Sequence, residues 1–396
     1  MTEGPSVRPR LRELDRHMVE RDGERLVVLT DPHEVCEPIA VDVEFEAVLD
    51  LLAGERTLAQ IRQTLLMRSG APDCSLEELE DFVESLRDAG LLDDDVFRRR
   101  WAEQHAAFMA MPAREARGAP YIYPGEDDRL DAFLRSAVGD PKRLSTAGGS
   151  TRGLWLPAEP VDSLVSILAS TLGNLPAASE LDAIVVFGAD APRGLLPFAT
   201  TDKEWTTPWG EVPAARDLVD ALESELDWIR REELRLRSGH ALELAVVLAR
   251  WIYGDECPPI LPISCAASSL EPRSDEVEAF GEALELATSR RRILWWSSGA
   301  LSHCGPAYGG TAAELDQQME LDTACIDAVL RGSPGAFAKR VQLDPRARAT
   351  GAAPTLALLN RISLDTRAEL CAYQRIAAPG GAPGAAGNVG LRFVDV

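Results

Sequence analysis

The spacing of apolar and polar residues changes character near residue 110. Before that point, two strand-like runs, around 11–20 and 24–30, flank Asp22-Gly23, a pair that favours a tight hairpin turn. A short helical run at 45–52 ends at Gly54. Thr57 with Gln60, and Ser75 with Glu78, each have the spacing of a capping box and so predict two helix starts. After the second, Leu76, Leu79, Phe82, Val83 and Leu86 recur at helical spacing, and Gly90 ends the pattern. Residues 97–111 read as a further helix. Strands and short helices of this extent predict a small α+β, winged-helix-like module over 1–110. MPAREARGAP (111–120) is the expected linker, and 121–396 the main domain.

Beyond the linker, short apolar runs bounded by turn residues alternate with longer amphipathic stretches. GLWLP (153–157), DAIVVF (182–187), PILPIS (259–264) and RILWWSS (292–298) are predicted strands with both faces buried. Helices are predicted at 160–174, 214–233, 240–253, 274–290 and 313–331. This order implies an α/β domain, a sheet covered by helices. Two more strands, 368–377 and 388–396, flank a Gly/Pro/Ala-rich loop. TTPWGEVPAARDLVDAL (206–222) reads as a Pro/Gly turn at the sheet rim, running into an amphipathic helix.

Composition narrows the functional classes. The net charge of −23 argues against nucleic acid or an anionic membrane surface as the main partner, since both are polyanions. No apolar run reaches the roughly 18 residues of a membrane span. The N-terminal MTEGPSVRPRLRELD lacks the apolar core of a secretory signal. Seven cysteines are scattered without a C-x-x-C pair, as expected of thiols in a reducing cytoplasm.

Candidate chemistry rests on few residues. Of the five histidines, His17, His33 and His105 share no motif and are read as surface residues. His240 opens the helical stretch HALELAVVLARWIY, with Glu243 one turn on and on the same face. His303 lies in the small, polar loop SSGALSHCGPAYGG after a strand, where open α/β sheets bind their ligands. Two histidines and a glutamate are the ligand set of a 2-His-1-carboxylate iron site. The bland alternatives are a helix-end histidine beside a structural carboxylate, and a loop histidine that caps a neighbouring element. FGADAPRG (187–194) is not a phosphate loop, and no G-x-S-x-G elbow occurs.

The order of these segments resembles the Memo family, and more closely the bacterial proteins called AmmeMemoRadiSam system protein B. The resemblance is carried by YIYPGEDDRLDAFL, TTPWGEVPAARDLVDAL, SGHALELAVVLARWIYGDE, PILPISC and SSGALSHCGPAYGG, in that order from about residue 118 to the C-terminus. The N-terminal unit is more distantly similar to PqqD-like peptide-recognition modules, through LLAGERTLAQI and LRDAGLL. The resemblance implies a fold related to class III extradiol dioxygenases and a cleft whose histidines hold iron or copper. It places those histidines at Ala158, Ala191, His240 and His303, so two of the four are missing here. The acidic neighbours expected before the two retained histidines are also replaced, by Gly239 and Ala300.

Three readings stay open on these residues. One is a binding or scaffold component with a degenerate cleft that holds no metal, or holds iron or copper weakly. Its partners would be radical-SAM and AMMECR-type proteins, with a peptide at the N-terminal module. The second is an iron- or copper-dependent oxidoreductase rebuilt around His240 and His303, with Asp190, Cys304 or Glu159 as substitute ligands. The third is a metal-free hydrolase or transferase with His240 or His303 as general base. Site residues are therefore His240, His303 and Glu243 for catalysis, and His240, His303, Asp190 and Cys304 for metal.

Overall fold

The computed structural model describes residues 8–21, 23–68, 74–189, 194–271, 274–343, 348–362, 365–379 and 383–396. The chain divides into two units, Met1–Ala110 and Met111–Val396.

In the first unit, β1 (Asp15–Arg21), β2 (Glu24–Thr30) and β3 (Ile39–Asp42) form an antiparallel sheet in that order. Among the described residues four α-helices follow: α1 (Glu46–Leu49), α2 (Leu58–Leu66), α3 (Leu76–Asp88) and α4 (Asp95–Met109). Both capping boxes form, Thr57 with Gln60 and Ser75 with Glu78, because each pair satisfies two otherwise orphaned amides at a helix start. Val27, Leu29, Ile61, Leu79 and Leu86 pack into one buried core.

The second unit is a mixed α/β domain. Its short early elements are β4 (Ala113–Arg114), α5 (Asp127–Ala137) and β5 (Ser145–Thr146). Then come β6 (Thr151–Leu156), α6 (Val165–Thr171), β7 (Leu175–Pro176), β8 (Ala183–Ala189), β9 (Phe198–Thr200), β10 (Glu204–Thr207) and β11 (Gly210–Val212). They are followed by α7 (Arg216–Glu225), α8 (His240–Tyr253), β12 (Ile260–Cys265), α9 (Asp275–Thr288), β13 (Ile293–Ser298) and β14 (Ser302–Cys304). The chain ends with α10 (Ala312–Leu330), α11 (Pro334–Leu343), α12 (Ala352–Leu359), β15 (Thr366–Ala377) and β16 (Ala385–Asp395).

The main sheet runs β14-β16-β6-β13-β8-β12-β9, with β15 paired to β16. β6, β13, β8 and β12 are mutually parallel, and β9, β14, β15 and β16 are added antiparallel. Strand alternation sends Leu154, Leu156, Ile184, Val186, Leu294 and Trp296 to one face, against α6 and α8. It sends Trp155, Val185, Phe187, Leu261, Ile263 and Phe393 to the other face, against α7, α9 and α10 to α12. The central strands are therefore apolar on both sides, as their sequences predict.

Several segments differ from the sequence expectation. Residues 111–120 are not a free linker: β4 pairs in parallel with β10, and Arg114 is buried. The 206–222 turn is an antiparallel hairpin, β10 with β11, whose side chains Trp205 and Val212 are buried. The helix expected at 214–233 stops at Glu225. No helix among the described residues is long and apolar enough to cross a membrane.

Candidate functional site

The parallel strands all end at one edge of the sheet, and the connections leaving them gather there, the place where α/β sheets bind ligands. The connection after β6 carries Pro157, Ala158 and Glu159. The connection after β8 carries Asp190 and Ala191, which lie outside the described residues. α8 brings His240 to the same edge, and the loop after β13 leads into β14 with His303.

Two small contacts seat the first turn of α8. Ser298, the last residue of β13, donates its hydroxyl to the carbonyl of Ala241 at 2.7 Å. Gly188 on β8 leaves room for Leu242: a Cβ there would lie 2.5 Å from Leu242 Cγ. Any side chain at 188 would push the helix from the sheet.

His240 is half-buried. Burial pushes its pKa below the ordinary value, opposed by the charges of Glu159 and Glu243, so the neutral imidazole is favoured. Glu243, one turn along, turns to the polypeptide before α5. Its carboxylate accepts from the Arg114 guanidinium and the Tyr123 hydroxyl, and from the amides of Arg117 at 2.9 Å and Gly118 at 2.7 Å. Arg114 also lies over the Trp205 ring. Burial works to raise the Glu243 pKa, but the Arg114 charge and these donors outweigh it and hold the carboxyl below its usual range.

His303 and Cys304 leave β14 on opposite faces. His303 pairs with Ala386 and Cys304 with Ala385 across β14 and β16. His303 stands on the face that carries α6 and α8. Its Nδ1 lies 3.2 Å from the carbonyl of Arg348, which can only accept, so Nδ1 carries the proton. Nε2 is then the atom that faces Glu159, 3.7 Å from Oε1. The Tyr308 ring packs edge-on, with centroids 4.9 Å apart. Cys304 is fully buried on the face of α10. Burial, reinforced by the charges of Asp322 and Glu314, pushes its thiol pKa up and keeps it protonated.

The structure thus sets His303 beside Glu159, an ion pair when the imidazole is protonated, and leaves His240 within electrostatic reach of that carboxylate. Glu243 is committed to Arg114 and Tyr123, and Cys304 points away from His303. Among the described residues, no three His, Cys, Asp or Glu side chains come together to hold a metal ion. Those donors do not fit a metal bound by three protein ligands. Tyr308 and the Arg348 carbonyl went unrecognised in the sequence. No periodicity or spacing marks them, because Arg348 reaches His303 only through the packing of a remote loop.

That packing is narrow. A Cβ on Gly351 would meet the carbonyl oxygen of Gly299 at 2.6 Å and that of Ala300 at 2.7 Å. Gly351→Ala is expected to cost about 1–3 kcal/mol by overpacking. It should also displace the Gly299–His303 loop, read as a moved His303 imidazole resonance by NMR. An unchanged resonance and melting temperature would show the loop free to yield.

Comparison with known proteins gives a family match and individual relatives. The family described as "Memo-like protein" matches residues 114–379. A "MEMO1 family protein" of Methanococcoides burtonii is 26% identical over 194 residues, which is 49% of this chain and 67% of that protein. The crystal structure of an uncharacterized protein from Escherichia coli K12 aligns with 60% of this chain and 99% of its own, at 14% identity and a TM-score of 0.35. With the family's sequence pattern running from β4 to β15, a span that includes His240 and His303, the chain belongs to the Memo-like protein family.

Proposed function

We propose that this Memo-like protein is a binding or scaffold component of an AmmeMemoRadiSam-type system, with a cleft that has lost its metal site. One observation carries the reading. Of the candidate ligands among the described residues, only His303 and Glu159 come together directly; Glu243 is consumed in an ion pair, and Cys304 faces α10. Losing protein ligands costs a metal site far more than losing their outer-shell supports, which alone are worth about 10–100-fold in affinity. Its partners in this reading are radical-SAM and AMMECR-type proteins in the cytoplasm. The N-terminal module is read as PqqD-like and winged-helix-like, holding a peptide or partner segment by strand addition to its three-stranded sheet.

A second reading is an iron- or copper-dependent oxidoreductase built on His240 and His303. It draws support from Glu159, a carboxylate that lies beside His303 and acts on the charge of His240. Elemental mass spectrometry of anaerobically purified protein separates the two. The expected outcome is substoichiometric iron and copper in the wild-type protein, His240→Ala and His303→Ala alike. Near-stoichiometric metal that disappears in both variants would overturn the scaffold reading.

A further inference from the structure

Three buried polar atoms under α6 have no hydrogen-bond partner among the described residues: Asn388 Oδ1, Gln374 Oε1 and Thr171 Oγ1. Asn388 and Thr171 are both fully buried. The three belong to one patch. Gln374 and Asn388 are direct cross-strand partners on β15 and β16, on the face that also carries Ala372 and Ile376. Their Cβ atoms are therefore about 5 Å apart. Gly390 is the next residue of β16 on that face, and Thr171 lies against it: a Cβ on Gly390 would fall 2.0 Å from Thr171 Oγ1. The Asn388 amide nitrogen is already used, donating to the Ala386 carbonyl at 3.2 Å.

The valences that remain are specific. Two carboxamide oxygens need donors, and the Thr171 hydroxyl can donate, as can Arg392 Nε, also without a partner among the described residues and two residues beyond Gly390 on the same face. A water molecule gives two hydrogens and accepts one, and buried waters typically make about three hydrogen bonds to groups such as these. Leaving the three polar atoms desolvated and unpaired would be costly.

We propose that an ordered water occupies this patch, donating to Asn388 and Gln374 and accepting from Thr171. It ties α6 to the β15–β16 ribbon. α6 follows the connection that carries Glu159 after one short 3-10 turn (Val161–Ser163), and β16 is the strand on which the β14 residue His303 is paired. The bridge therefore joins the two halves of the Glu159–His303 pair, and Thr171 and Asn388 act as positioning residues for it.

The test begins with the intact wild-type protein. A nuclear Overhauser effect from bulk-frequency water to the Thr171 γ-methyl, with the methyl buried, is expected. Thr171→Val keeps the shape and removes the hydroxyl. In a hydrated patch it lowers the melting midpoint by roughly 2–4 °C, the loss of about one net hydrogen bond. In a dry patch it raises the midpoint, because an unpaired buried hydroxyl has been removed. The His303 imidazole resonances should move in Thr171→Val and in Asn388→Leu. No water signal together with a stabilised Thr171→Val would overturn the water site. A water signal with unmoved His303 resonances in both variants would overturn the positioning role.

Discussion

Glu243→Gln is expected to lower the unfolding free energy of the Met111–Val396 unit by about 3–5 kcal/mol, because it leaves a buried guanidinium without its counter-charge. Arg114 and Glu243 side chains are each 1% exposed, and the carboxylate also receives Tyr123 and two backbone amides. Urea denaturation would read the change as a lower midpoint at unchanged slope. The wild-type pair also sets an acid limit. The folded carboxyl is held below its ordinary value of 4.5, so its stabilisation is complete above that pH. It is lost progressively as the pH falls below about 4.5 and through the folded pKa. Glu243→Gln should therefore flatten the acid limb of the stability–pH curve. A variant as stable as wild type, with the acid limb unchanged, would mean that Glu243 does not hold this segment. The result bears on function too: lost activity in a Glu243 variant would have to be separated from lost fold before Glu243 is given a chemical role.

Glu233→Gln is the second change with a large expected cost, again about 3–5 kcal/mol. Glu233 is fully buried and gathers Lys203 Nζ at 3.2 Å, Arg230 Nε at 2.9 Å and the Thr201 hydroxyl at 2.5 Å. Lys203 is 2% exposed, so the neutral amide would face a desolvated ammonium. The paired replacement Lys203→Met with Glu233→Met should recover most of the loss, since removing both charges avoids the unpaired state. A double variant no more stable than Glu233→Gln would show that the contacts to Thr201 and Arg230, rather than the pair with Lys203, carry the effect.

The local elements are written in the sequence wherever the deciding forces are local. Thr57-Leu-Ala-Gln60 and Ser75-Leu-Glu-Glu78 form their capping boxes because donor and acceptor lie within one turn. The apolar runs at 153–157, 182–187, 259–264 and 292–298 become buried parallel strands, because both their faces need covering. The 206–222 segment depends on a distant partner as well as on local spacing. β10 pairs locally with β11 as a hairpin, and its other edge takes β4, a partner that no nearby residue could supply.

The candidate site divides in the same way. His240, His303, Ala158 and the resemblance to the Memo family are all legible in the chain, and the family's pattern matches residues 114–379. The shared helix face of His240 and Glu243 is legible too. Which way Glu243 turns is not: its fate follows from Arg114, more than a hundred residues earlier, being brought against it by the sheet. The pairing of His303 with Glu159 and the opposite direction of Cys304 follow from the register of β14 on β16, where a shift of one residue would exchange the two side chains. The sequence by itself determined the helix starts, the buried strands and the family, because short-range spacing and apolar pattern decide these. The tertiary structure alone decided which carboxylate meets which cation or imidazole, because that depends on contacts between segments that are distant in the chain.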